Sequence, residues 1–321
     1  MKYFFILNPQ SGRKVHNNDI LREIRDAAVR QGHEYDAYFT KAPGDAKDYV
    51  RRLCEAHAKA GDGDEPEPIR IIGCGGDGTL NELVNGAFGF DQVEIGIIPQ
   101  GTGNDYIRNY GDPKRFLGVE NQMLGHSRWS DLIEYCGENK GVSTRALCAN
   151  MFNIGFDCNV VIMTETLKNW PLLNGSTAYL ASVFASLVQK KETHLTVEYE
   201  DGEVYDDRLL LVSIANGCFC GGGIKGVPKS VLDDGLMDIS LVRSGVSRNF
   251  FVRFFPKYQK GKHLDDPRAA GVFSYRQCET LCVKAKEGLL SLCVDGEIEQ
   301  YESVDFRIVP KAVRFIVPQG L

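Results

Sequence analysis

The segment Ile71-Ile72-Gly73-Cys74-Gly75-Gly76-Asp77-Gly78-Thr79-Leu80-Asn81-Glu82 has the make-up of a turn that receives an anion. An apolar strand enters glycines that let the backbone come close without a Cβ in the way. A helix then begins whose first N–H groups and dipole favour phosphate. The spacing is not that of a Walker A loop. Asp77 is a carboxylate among these backbone donors and suits Mg²⁺ held between phosphates, because Mg²⁺ takes few carboxylates together with phosphate oxygens and water. Capping the helix is the simpler role open to it. Asp295 and Glu297 share a face if Asp295-Gly296-Glu297 lies on a strand; an acidic surface turn explains the same residues. Asp233-Asp234-Gly235 reads as a type I′ hairpin turn.

These residues need elements to carry them. Residues 3–7, Tyr-Phe-Phe-Ile-Leu, form an apolar run that stops at Asn8-Pro9, as a strand buried on both faces does. Ile20, Leu21, Ile24, Ala27 and Ala28 recur at helical spacing before Gly32. A strand over 34–40, a helix over 46–60, a strand over 69–72, a helix over 80–85 and a strand over 95–98 follow. This alternation predicts an α/β fold with a parallel sheet covered by helices. After about residue 128 the strand-like stretches 195–199, 208–215, 237–242, 281–285, 289–294 and 313–317 predict a largely antiparallel, β-rich second domain. Helices are expected there only over 177–189 and 248–260.

Composition narrows the function. The chain has 321 residues, enough for about two domains. With 37 Lys and Arg against 43 Asp and Glu, the net charge of -6 provides no field for nucleic-acid phosphates, so no nucleic-acid partner is expected. No apolar run approaches the ~18 residues of a membrane-spanning helix, and the ten cysteines form no CxxC pair. A cytoplasmic protein with reduced thiols is expected.

Gly75-Gly76-Asp77-Gly78-Thr79 resembles the GGDGT signature shared by diacylglycerol, sphingosine and ceramide kinases, NAD kinases and phosphofructokinases, and Leu80-Asn81-Glu82 continues it as lipid kinases do. Asn8-Pro9-Gln10-Ser11-Gly12 is similar to the NPxSG nucleotide loop of the lipid-kinase group. Pro99-Gln100-Gly101-Thr102-Gly103-Asn104-Asp105 is similar to its P-x-GT-x-ND element. Asn216-Gly217 with Gly221-Gly222-Gly223, then Asp233-Asp234-Gly235-Leu236-Met237-Asp238, then Asp295-Gly296-Glu297 follow in the family's order. The resemblance covers almost the whole chain and is to the diacylglycerol kinase and sphingosine kinase family, in particular its bacterial soluble group.

The resemblance implies an NAD kinase/phosphofructokinase-like ATP-binding domain over 1–127, a lipid-substrate domain over 128–305, and a C-terminal strand over 306–321 returning to the first domain, with the active site in the cleft. It implies that Asn8, Pro9, Ser11, Gly12, Thr40, Gly75, Gly76, Asp77, Gly78, Thr79, Asn81, Glu82 and Thr102 hold ATP, and that Asp77 holds catalytic Mg²⁺. Asp295 or Glu297 would take the proton from a lipid hydroxyl as it attacks the γ-phosphate; which of the two does so stays open. A structural Mg²⁺ would sit on Asp234 and the carbonyls of Val231 and Leu236. Diacylglycerol, giving phosphatidic acid, is the leading substrate, with a sphingoid base, a monoacylglycerol and undecaprenol as alternatives.

Two rival readings stay in view. Gly175-Ser176-Thr177-Ala178-Tyr179 matches an NAD kinase element, although a helix N-terminus explains it more simply. A non-catalytic lipid or nucleotide sensor would be expected to lack the acids, and Asp77, Asp295 and Glu297 are all present. Basic residues beside Phe250, Phe251, Phe254 and Phe255 between Arg243 and Lys262 would suit transient peripheral contact with a membrane, or else form a core-packed helix with a solvated basic face. Exposed strand edges in a β-rich domain would allow a homodimer.

Overall fold

The computed structural model describes residues 1–11, 17–60, 67–155, 192–294 and 297–319. The expected helix over 177–189 and the Gly175–Tyr179 element lie outside them, as do Gly12, Asp295 and Gly296. The N-terminal half runs β1 (Lys2–Leu7), α1 (Asn17–Gln31), β2 (Glu34–Phe39), α2 (Asp45–Ala60), β3 (Ile69–Gly75), α3 (Asp77–Ala87) and β4 (Val93–Pro99). These strands pair in parallel in the order β4-β3-β1-β2.

Alternation along β1 assigns the layers. Phe4 and Ile6 join Val50, Leu80 and Leu83 of α2 and α3 on one face of the sheet. Tyr3, Phe5 and Leu7 join Ile20, Ile24 and Ala27 of α1 on the other. A sheet with helices on both faces is buried throughout, which is why β3 and β4 read as unbroken apolar runs and are buried at every position. After a short α4 (Val119–Met123) the chain turns to antiparallel strands.

Those strands are β5 (His126–Asn139), β6 (Val142–Cys148), β7 (Met151–Gly155), β8 (Thr193–Tyr199), β9 (Val204–Ala215), β10 (Met237–Arg243), β11 (Phe273–Cys278), β12 (Thr280–Ala285), β13 (Leu290–Val294), β14 (Glu297–Tyr301) and β15 (Ser303–Val317). One helix, α5 (Arg248–Gln259), lies between β10 and β11, its first turn capped by Ser247, whose Oγ accepts from Phe250 N at 3.2 Å. Two strands are much longer than their sequence signal. β15 carries Val304, Phe306 and Ile308 facing a core of β-strand side chains, with charged residues between them, and Val313 in the core that packs α2 and α3.

Along its first part β15 pairs with β12 and β5; the register shifts between Val309 and Val313, and Arg314 and Phe315 then pair in parallel with Glu94 and Ile95 of β4. This single strand makes the two halves one continuous sheet. The nine described cysteines are free thiols. Among the described residues no helix is long and apolar enough to cross a membrane.

Four of the described aromatic side chains of α5, Phe250, Phe254, Phe255 and Tyr258, pack toward the core. Phe254 and Tyr258 are buried and lie 5.9 and 6.1 Å from Phe273 of β11, while Phe250 stacks on Phe254 at 5.0 Å. Lys257 pairs with Asp266, leaving Arg253, Lys260 and Lys262 exposed. Asp233-Asp234-Gly235 is not a hairpin turn between adjacent strands: it ends the long connection from β9 to β10.

Candidate active site

The C-terminal ends of β1, β3 and β4 bring three loops together, as parallel sheets do. Asn8 follows β1; its N–H donates to Cys74 O of β3 at 3.1 Å and its side-chain amide donates to Thr79 Oγ1 at 3.2 Å. Gln10 N donates back to Asn8 Oδ1 and Ser11 N to Asn8 O, closing the Asn8–Ser11 turn around Pro9. Thr40, after β2, donates its N–H to Leu7 O. Gln100 N donates to Gly75 O at 2.7 Å, tying the loop after β4 to the loop after β3.

Glycine is required where the two loops touch. A Cβ on Gly101 would stand 2.7 Å from Gly76 Cα, and one on Gly76 would stand 3.1 Å from Gly101 Cα, so backbone meets backbone. Gly78 faces open space, with nothing within 4 Å of where its Cβ would be. Helix α3 starts at Asp77 after Gly76, and no side chain caps it. Its first N–H groups are therefore uncapped by side chains at the mouth of the turn, which suits an anionic ligand.

Asp77 is not the helix cap. Its Oδ1 accepts from the N–H groups of Asp105 and Tyr106 at 2.8 and 3.2 Å, which fixes the carboxylate between the two loops. Burial pushes its carboxyl above the usual range, against the pull of these backbone donors and of Arg108. Asp105 is buried beside it, and burial followed by the Asp77 charge pushes its carboxyl up to about 6. Asp105 Oδ2 accepts from Gly222 N at 2.9 Å, across the cleft from the second half of the chain. Arg108 Nε is 3.4 Å from Asp105 Oδ1, an ion pair without hydrogen-bond alignment, since neither atom has a hydrogen-bond partner.

Asp105 stands inside the P-x-GT-x-ND element, and the sequence alone assigns it no role. Its signal is local: an acid following a glycine loop, in reach of a second acid. We expect Asp105→Asn, without metal or nucleotide, to stabilise the fold by roughly 2 kcal/mol at pH 8, because ionising a group whose folded pKa is raised disfavours the native state. The difference should shrink as pH falls from about 6 toward 4, where the wild-type carboxyl takes up its proton in the native state; urea titrations across that window check it.

Other expected ligands have partners of their own. Glu82 accepts from the N–H groups of Gly44 and Ala46 at 3.0 and 2.9 Å and so caps the start of α2. Asn81 Oδ1 accepts from Asn85 Nδ2, and Thr79 is buried with its hydroxyl toward Asn8. These residues and buried Gly75 shape the turn from behind, while Gly76, Gly78 and Thr102 keep some exposure.

Glu297 is exposed at the start of β14, and no contact among the described residues joins it to the phosphate turn. The strand register nevertheless orients its segment: Val294 pairs with both Glu297 and Phe152, and Met151, next to Phe152, pairs with Ala215. The flanks of Asp295-Gly296 thus stand at the sheet end where Asn150 and Asn216 begin the connection toward Gly222. Asn216 is fully buried and donates to Asp131 O and Ala149 O at 2.8 and 3.1 Å.

The turn at Asp234 is closed by protein groups. Asp234 Oδ1 accepts from Leu236 N at 3.1 Å, and buried Asp131 accepts from Gly235 N and Lys311 N, each at 2.7 Å. Asp234 Oδ2 has only Gln277 Nε2, at 3.4 Å. A carboxylate with one loosely held oxygen leaves a hard donor of the kind Mg²⁺ takes.

Comparison with known proteins bears on this arrangement. A model of the diacylglycerol kinase catalytic domain matches residues 2–135, and a model of the YegS C-terminal NAD kinase beta sandwich-like domain matches residues 150–317, more than half of the chain. The chain belongs to the YegS-type diacylglycerol kinase family. It is 28% identical over 298 residues to the diacylglycerol kinases of Staphylococcus aureus strains JH9 and Newman, covering 91% of this chain and 84% of theirs. A crystal structure of a diacylglycerol kinase from Bacillus anthracis str. Sterne shares the fold at a TM-score of 0.70 with 21% identity, over 99% of this chain and 97% of that one. As a member of this family, the protein is an ATP-dependent lipid kinase.

Proposed function

We propose that the kinase phosphorylates diacylglycerol to phosphatidic acid, with Mg²⁺ held at Asp77. The observation that carries this reading is the fixed Asp77 carboxylate between two glycine loops at the strand ends, in a chain whose similar relatives are named diacylglycerol kinases. The γ-phosphate would lie at the uncapped start of α3, where N–H groups and the metal offset the charge that spreads over its oxygens. The lipid hydroxyl oxygen bonds to phosphorus as the bond to the β-phosphate oxygen breaks, ADP leaves, and the proton passes to Asp295 or Glu297.

Asp234, with the carbonyls of Val231 and Leu236, would hold a second Mg²⁺ that braces the end of the β9–β10 connection. Peripheral contact with a bilayer would rest on Arg253, Lys260 and Lys262, since Phe254 and Tyr258 of α5 are packed inward. A homodimer through a strand edge such as β6, which pairs only with β5 among the described strands, belongs to the same reading.

Transfer of label from γ-labelled ATP with Mg²⁺ tests the reading, with diacylglycerol, sphingosine, undecaprenol and NAD offered in parallel. Label in phosphatidic acid is expected. Label in another lipid would move the substrate assignment, and label in the nucleotide fraction with NAD would reject it.

A further inference from the structure

Asp105 and the helical turn Tyr106–Tyr110 that follows it present two acceptors to the second half of the chain. Asp105 and Asn109 stand four residues apart, and they receive two N–H groups that are also four apart: Gly222 N at 2.9 Å and Cys218 N at 2.7 Å. The amide of Asn109 has its orientation set from behind, because its Nδ2 donates to Tyr106 O at 2.8 Å. Arg108 donates to Gly103 O at 3.0 Å and lies along Gly223, where a Cβ would come 3.3 Å from the guanidinium.

The receiving loop is shaped to fit. A Cβ on Gly217 would stand 2.3 Å from Asn150 Oδ1 and 2.6 Å from Asn109 Nδ2, so the backbone is seated directly against both amides. Gly221, Gly222 and Gly223 all have positive φ, at 58°, 81° and 112°, and Gly222 comes down toward Thr102 O. A hydrogen-bonded path therefore runs from Asp77 Oδ1 to Tyr106 N, from Tyr106 O to Asn109 Nδ2, and from Asn109 Oδ1 to Cys218 N.

We propose that Asn109 is a positioning residue for phosphoryl transfer: with Asp105 it holds the Gly217–Gly223 loop from the nucleotide side, so the cleft wall that meets the lipid acceptor takes its shape from the loop that grips the phosphates. The proposal rests on the assignment of ATP to the Gly75–Thr79 turn. Nucleotide binding steadies Asp77, and the path above passes that order to the acceptor side without the nucleotide touching it.

Hydrogen exchange on the wild-type chain, with and without Mg²⁺ and a non-hydrolysable ATP analogue and with no lipid present, tests the path. Slower exchange is expected at Gly75–Thr79 and also at Cys218 and Gly222. Protection of the phosphate turn alone would overturn the proposal, and protection of neither would reject the nucleotide assignment beneath it. In Asn109→Ala the added protection at Cys218 should disappear. With diacylglycerol in detergent micelles, kcat/KM for the lipid should fall roughly 5- to 100-fold, the range for leaving a buried donor unpaired, while KM for ATP stays within about twofold. A rise in KM for ATP as large as the loss for the lipid would mark Asn109 as merely structural.

Discussion

Asp77→Asn is expected to lower kcat by about 10³-fold while the protein stays folded. The substitution keeps a side-chain oxygen that can accept from Asp105 N and Tyr106 N, so the junction of the two glycine loops should persist. What it removes is the negative charge, and with it the partner that a hard cation needs between phosphate oxygens. The second consequence is a gain in stability without metal, because desolvation disfavours the charged Asp77 carboxyl, whose charge in turn disfavours ionisation of buried Asp105. Reduced turnover with an equal or higher unfolding midpoint is the expected pair of results. Turnover within tenfold of wild type at saturating Mg²⁺ would remove the metal from Asp77.

The other large effect is expected at the Asp295-Gly296-Glu297 segment. A general base contributes about 10² to 10⁴ in rate, so Asp295→Asn and Glu297→Gln should differ sharply if only one of them takes the proton. The base variant should lose kcat by that factor with little change in KM for ATP, and the other variant should lose much less. Two variants with wild-type kcat would place the proton acceptor elsewhere, and Asp105 would be the next candidate.

The α/β half was legible because each element there obeys one rule. β1, β3 and β4 are covered on both faces and read as apolar runs, and α1 and α2 carry apolar stripes set off by glycine or acidic loops. The second half was only partly legible. β5, His126–Asn139, begins with exposed His126, Arg128 and Trp129 and becomes buried from Ser130, so no single period runs along it. β6 is exposed over its first four residues, and β14 alternates acids with Ile298. Such strands are specified by their partners, since cross-strand packing outweighs local preference.

The site followed the same division. Glycine loops show in sequence because close backbone approach leaves few alternatives to glycine, as at Gly76 and Gly101. The inward roles of Thr79 and Glu82 were hidden, because a hydroxyl or carboxylate that braces the backbone looks the same in sequence as one that binds a ligand. Asn109 carried no signal at all: its partner, Cys218 N, belongs to the other half of the chain.

The strand Ser303–Val317 also constrains how the molecule is made. It fills the position beside β4 in the first half and the positions beside β5 and β12 in the second, yet it is synthesised after all of them. On the ribosome, the nucleotide half emerges with the β4 edge unpaired, and its sheet is completed only by a distant partner, a non-local pairing of the kind that slows folding. A nascent chain stalled before residue 303 would present open strand edges in both halves at once, a template for aggregation that the finished protein conceals.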